Sequence, residues 1–167
     1  EIFNTPQYID IFFEHLSNEL SPELLLAYVE FNQFKIFMLN EPELLNHLEQ
    51  SGLNKTINLS RNIPQSSILT NNNSYGVILR KLHNKYIKHG ARFQINVPYN
   101  IYETMSFITD KYAHNRQLSI QDKESIYSVY DGAIDCLITF MGHSLDWLLT
   151  YSSRNDITRF EDCIKQV

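Results

Sequence analysis

ELSPELLLAYVEFNQFK, residues 19–35, carries both the start and the body of a helix. Pro22 suits a first helical position, where no intrahelical N–H is needed. Ser21 before it is a natural N-cap, and Glu23 complements the positive end of the helix dipole. From there Leu25, Tyr28, Val29, Phe31 and Phe34 make a wide apolar stripe at helical spacing, so the helix is expected to reach about Met38. Leu24 is the odd residue. It stands in the first turn, which usually faces water or a partner.

The rest of the chain continues this pattern. The 167 residues are 43% hydrophobic and 13% aromatic, enough for a single domain, 1–167, that buries roughly 70% of its unfolded surface. Only 5 Gly and 5 Pro punctuate it, and Leu, Ile, Phe and Tyr recur at helical spacing without alternating β-branched runs, which predicts an all-α fold. A net charge of -5, with no Lys/Arg run longer than a pair, gives no electrostatic footprint for nucleic acid or anionic lipid. Cys136 and Cys163 lie in helical patterns without CxxC or metal spacing, as reduced residues of an intracellular protein do. There is no apolar run long enough for a transmembrane helix. The stretch EIFNTPQYID lacks the basic start and apolar core of a signal peptide, so the expected location is cytoplasmic.

Along the chain, a first helix is expected over Pro6–Leu16, burying Ile9, Phe12, Phe13 and Leu16. After the aromatic helix, Asn40 is expected to cap a short helix over Pro42–Gln50 that Gly52 closes. Residues 53–74, LNKTINLSRNIPQSSILTNNNS, are Asn- and Ser-rich and read as a surface insertion. Their N-x-S/T triplets at Asn54, Asn58 and Asn72 are what an Asn-rich stretch produces by chance. Helical spacing resumes at Val77, Ile78, Leu82, Tyr86 and Ile87 and ends at Gly90. Pro98 starts the next helix, with Ile101, Met105, Ile108 and Tyr112 on one face. A helix over Glu124–Met141, stopped by Gly142, and a last pair over Leu145–Tyr151 and Asp156–Gln166 complete the expectation.

Catalytic signatures are missing. Gly142-His143-Ser144-Leu145-Asp146 lacks the second Gly of a nucleophile elbow and follows a helical segment where the elbow needs a strand. The 6 histidines show no HxxxH or HExxH spacing, and no phosphate-binding Gly loop appears, so neither metal nor cofactor is expected. Glu19 and Glu23 read first as complements to a helix dipole.

Three segments, taken together, resemble the regulator of G-protein signalling (RGS) domain family. HLSNELSPELLLAYVEFNQFK, 15–35, resembles its F-x-x-[FY]-L-x-x-E-x-S-x-E-N opening and the aromatic helix that follows. KYIKHGARFQINVPYNIYETM, 85–105, is similar to I-Y-x-x-[FY]-I-x-x-x-A-x-x-x-[IV]-N. YDGAIDCLITFMGHSLDWLLTY, 130–151, is similar to F-D-x-A-Q-x-x-I-x-x-L-M with the following D-S-Y-x-R-F-L. The resemblance implies a bundle of about nine helices, monomeric as an isolated domain, that binds a heterotrimeric G-protein α subunit (Gα) and accelerates its GTP hydrolysis. Such a domain is no enzyme itself. It holds the G protein's switch segments so that the G protein's own glutamine orients the attacking water.

Carried over by position, the implied Gα-binding residues are Glu19, Ser21, Glu23, Leu24, Asn96, His143, Ser144 and Trp147. Glu19, Ser21 and Glu23 match the acidic-Ser-Glu pattern, Asn96 matches the asparagine before the next helix, and Ser144 matches the serine of D-S-Y once one residue of the preceding turn is deleted. Leu24 stands in place of a contact asparagine, Tyr102 of an arginine, His143 of an aspartate and Trp147 of a basic residue. Leu24 then either packs under loops of its own domain or meets an apolar patch on a divergent G protein. Asn96 either caps the following helix or lies against the switch region. Two functions stand: a GTPase-activating RGS domain, recruited to the plasma membrane through Gα or flanking domains, or an RGS-like scaffold module, as in axin, receptor kinases and sorting nexins, that binds without accelerating hydrolysis.

Overall fold

The computed structural model describes residues 5–19, 21–57, 59–60, 63–115 and 117–151, with side chains left undescribed at 6 and from 147 onward. Seven α-helices follow in order: α1 (Pro6–Asn18), α2 (Pro22–Met38), α3 (Pro42–Gln50), α4 (Tyr75–Leu82), α5 (Tyr99–Tyr112), α6 (Ile120–Ser128) and α7 (Asp131–Tyr151). A π-helical turn, His83–Ile87, continues α4 and carries the i→i−5 bond from the Lys88 N–H to the His83 carbonyl at 2.8 Å. The fold is all-α, and the described residues contain no strand. About nine helices were expected; the described residues hold seven, and the expected helix over 156–166 lies outside them.

α2 is the central helix because it is apolar nearly all round. Leu25, Ala27, Tyr28, Phe31, Phe34 and Met38 are buried, and so are the polar Asn32, Gln33 and Lys35 between them. Phe31 lies flat on Tyr130, with centroids 4.1 Å apart and planes 3° from parallel, and meets the edge of Tyr86 at 5.5 Å and 78°. Phe34 meets Tyr130 and Tyr75 edge-on. These offset and T-shaped pairs add about 0.5–1.5 kcal/mol each beyond the area they bury. α2 packs along α7, and the Lys35 ammonium, inside this contact, pairs with Asp131 and sits 4.3 Å above the Tyr127 ring.

Several boundaries differ from expectation, each for a local reason. Ser21 is the N-cap of α2, but its side chain makes no capping bond; its N–H instead closes the α1–α2 joint on the Leu16 carbonyl at 2.9 Å. Glu41, not Asn40, precedes Pro42 and is the N-cap of α3. Phe13 is 37% exposed, and Tyr8 and Ile11 are buried in its stead. α6 begins four residues early, at Ile120, because Ser119 and Asp122 form a reciprocal capping box. The helix expected through Met141 is broken at Val129–Tyr130, where Tyr130 turns into the aromatic column, and then passes Gly142 without stopping. Ala133, Leu137, Met141 and Leu145 recur every four residues across that glycine, and burying them outweighs the roughly 1 kcal/mol a mid-helix glycine costs. Gly52 and Gly90 do end helical segments, at φ 69° and 78°.

The described residues of 51–74 form no regular element, yet they are fastened to α2. Gln33 donates to the Pro64 carbonyl at 2.9 Å and accepts from the Ser66 N–H at 3.0 Å. The Ser66 hydroxyl donates to Glu30 at 2.6 Å, and Leu69 is buried in the core.

Candidate functional site

The C-terminal end of α1 meets the second half of α7, and this junction holds a polar cluster. The Ser144 hydroxyl donates to the Glu19 carboxylate. His15, buried on α1 and stacked on Phe12, has Nε2 3.2 Å from the Ser144 carbonyl, 3.3 Å from its hydroxyl and 3.5 Å from Glu19. Glu19 and Ser144 address the same imidazole nitrogen. A nucleophile relay needs its serine and its carboxylate on opposite nitrogens, so this arrangement is not a Ser–His–carboxylate relay, and it ties two helices together. Residues 142–146 lie inside α7, which also rules out the strand-to-helix turn of a nucleophile elbow. His15 escaped the sequence reading; its spacing of four from Glu19 on one helix face was the available signal.

Ser21, Glu23 and Leu24 follow within the joint and first turn of α2, all half-buried. Leu24 is half-buried and packs against the hydrophobic core of its own domain, with the rest of its side chain at the surface. His143, beside Ser144, is exposed. Trp147 has its backbone in α7, and its side chain lies outside the described residues.

Asn96 sits on a separate element. The connection from the π turn to α5 is held by backbone bonds from the Phe93 N–H to Lys85 O at 3.3 Å and from the Ile95 N–H to Tyr86 O at 2.9 Å, with Ile95 buried and Val97 half-buried. Asn96 between them is exposed, and its side chain makes no hydrogen bond among the described residues. It does not cap α5: the N-cap is Pro98, and that helix start has no side-chain cap. Three residues on, Tyr99 is 72% exposed and stacks on Tyr102 at 6.4 Å. No hydrogen bond among the described residues joins Asn96 to the Glu19–Ser144 pair.

Among the described residues no group of three or more His, Cys, Asp or Glu side chains is placed to hold a metal ion, and no helix is long and apolar enough to cross a membrane. Cys136 is half-buried and unpaired in a disulfide; Cys163 lies outside the described residues. No protein-family profile, no curated protein and no solved structure matches the chain.

Proposed function

We propose that this chain is a divergent RGS domain that binds a Gα subunit and accelerates its GTP hydrolysis. The observation that carries the reading is Asn96: an exposed amide with no bond among the described residues, on a connection whose backbone is held before it by the Phe93 and Ile95 bonds and after it by the Pro98 carbonyl, which accepts from the Ile101 and Tyr102 N–H groups. A held backbone under a free polar side chain leaves only that side chain's rotamer to be ordered at the moment of docking, which favours holding a switch segment in one geometry. Glu19, Ser21, Glu23 and Ser144, gathered where α1, α2 and α7 meet, supply the second half of the contact surface in this reading.

A second reading, an RGS-like scaffold that binds without accelerating hydrolysis, is favoured by two observations. Ser144 and Glu19 satisfy each other, and Leu24 packs inward where the resemblance implies a hydrogen-bonding asparagine. Single-turnover GTP hydrolysis by Gα, with and without the domain, separates the two. Activation is expected. Asn96→Ala removes one or two hydrogen bonds of about 0.5–1.5 kcal/mol each, or more where a buried partner is stranded, and is expected to cut the acceleration roughly tenfold to a hundredfold with the fold intact. Equal acceleration by both proteins removes Asn96 from the mechanism. Binding without acceleration by the parent chain selects the scaffold.

A further inference from the structure

The groove between α4, with its π turn, and α5 contains chemistry that the surface above does not use. The two helices touch closely at Gly76, against the Tyr112 and Ala113 carbonyls, and at Arg80, whose guanidinium donates to the Ala113 carbonyl at 2.7 Å and lies 3.3 Å from His114 Nδ1. Beside that contact lies a groove of about 410 Å³, with Arg80, Asn84 and Lys88 in one wall and Thr109 and Asp110 in the other. Neither Arg80 nor Lys88 forms an ion pair among the described residues. Thr109 is only 3% exposed, and its hydroxyl has no hydrogen-bond partner among the described residues, an uncommon and unfavourable state for a buried donor. The wall also contains the π turn, a backbone form that is rare and recurs at functional sites.

We propose that this groove binds a phosphate monoester dianion, with Arg80 and Lys88 supplying the charge and Asn84 and Thr109 the neutral donors. A guanidinium has five N–H groups in a planar fork, so Arg80 keeps donors for a phosphate after its bond to Ala113. Lys88 adds a point charge. Thr109 lines the same groove, and a rotation of its side chain toward it gives the buried hydroxyl a phosphate oxygen as the acceptor it lacks. Burial pushes the His83 imidazole below its ordinary pKa, so it stays neutral near pH 7, where its Nε2 meets the Ser106 hydroxyl at 3.1 Å and adds no charge of its own. Asp110 is the opposing term. Against Arg80 and Lys88 it leaves an excess of one positive charge, so its removal must favour an anion and disfavour a cation. The volume suits either a small monoester or a phosphorylated side chain.

The test is an amide-shift titration of the full chain by NMR at fixed ionic strength, with inorganic phosphate in one arm and a phosphoserine peptide beside its unphosphorylated form in the other. Saturable shifts are expected at residues 83–88 and 109–114. The double variant Arg80→Gln, Lys88→Gln loses two charge-assisted contacts and should weaken binding about tenfold or more. Asp110→Asn should tighten it. Thr109→Val should weaken it while leaving the domain at least as heat-stable, because the stranded hydroxyl is gone; that pair of changes separates a ligand contact from a packing role. Tighter binding of the phosphopeptide than of phosphate identifies a phosphorylated chain as the source, and the reverse a small free phosphate. Absence of saturable shifts with both probes overturns the proposal. So does binding that survives the double substitution, or binding that weakens in Asp110→Asn.

Discussion

Three helical glycines meet three different environments, and replacing each by alanine tests the helix packing by sign as well as size. A methyl group on Gly76 would lie 3.1 Å from both the carbonyl carbon and oxygen of Ala113 and closer still to the Tyr112 carbonyl oxygen. All of these are backbone atoms of the α5 end, so no rotamer change relieves the clash and the helices must part. Overpacking of this kind costs about 1–3 kcal/mol, and the upper end applies where only backbone can yield. Alanine's better helix propensity returns at most about 1 kcal/mol. Gly76→Ala is therefore expected to destabilise by about 2 kcal/mol, lowering the midpoint of thermal unfolding by about 4–8 °C for a chain of this length. At Gly142 nothing lies within 4 Å of the added methyl, and the residue is inside α7, so Gly142→Ala should stabilise by about 0.5–1 kcal/mol. At Gly132 the neighbours are Cδ1 and Cγ1 of Ile101 at 3.3 Å and its Cγ2 at 3.6 Å, a β-branched side chain that yields only a little, so the crowding and the gain in helix propensity of about 1 kcal/mol should roughly cancel. Circular-dichroism melts and urea titrations of the three variants measure the series. Stabilisation by Gly76→Ala would refute the α4–α5 approach. Destabilisation by Gly142→Ala would show that this glycine ends a helix after all, with a left-handed backbone that alanine resists.

Tyr130→Phe should hold or raise stability, since it keeps the stack on Phe31 and removes a buried hydroxyl that has no partner among the described residues, a group costing about 1–3 kcal/mol when stranded; a loss above the error of a urea titration would reveal a bond to that oxygen. Gln33→Ala should loosen the 64–66 segment, with two hydrogen bonds lost for about 1–3 kcal/mol, and speed the first cut of limited proteolysis within 53–74; unchanged cleavage would mean that the Ser66–Glu30 bond and Leu69 suffice to hold the insertion. Asp122 accepts from the Tyr112 hydroxyl at 2.7 Å and from Ser119, bonds that hold its carboxyl below the ordinary range of about 3.9. Its folded-state pKa is depressed, so its contribution is complete above the unfolded value and is lost as pH falls through the folded one. Asp122→Asn should therefore flatten the acid limb of a stability-against-pH curve, and an unaltered limb would contradict the assignment.

The part of the fold that was legible in the sequence is the part set by burial at fixed spacing. The span of α2 follows from Pro22 and from apolar residues through Met38, and the ends at Gly52 and Gly90 follow from a backbone conformation that few other residues adopt. Errors arose where a local signal and a tertiary one disagreed. Gly142 is a stop by propensity, but α7 continues because Met141 and Leu145 have a core to enter, and no propensity records that core. The start of α6 was readable in Ser119-Ile120-Gln121-Asp122, a capping box hidden inside a polar stretch that composition marks as a loop. The insertion was read from its Asn and Ser content, which predicts a lack of regular structure but not its attachment. The attachment was written elsewhere, in the polar Glu30 and Gln33 on a helix otherwise apolar nearly all round.

The candidate site follows the same division with a different consequence. Positions matched by resemblance say where a contact belongs, whereas the structure says whether each side chain is free to make it. Glu19 and Ser144 are 125 residues apart and are joined to each other, so whatever docks at this junction must compete with that bond and with His15 behind it. Asn96 has no such competitor among the described residues. A docking group that takes Glu19 or Ser144 must first break their mutual bond, whereas Asn96 exchanges only its bonds to water, for a net gain of about 0.5–1.5 kcal/mol each. If a Gα subunit docks here, the discriminating contact is therefore on the α5 side, at Asn96 beside the exposed Tyr99, and the α1–α7 junction acts chiefly as a fixed wall.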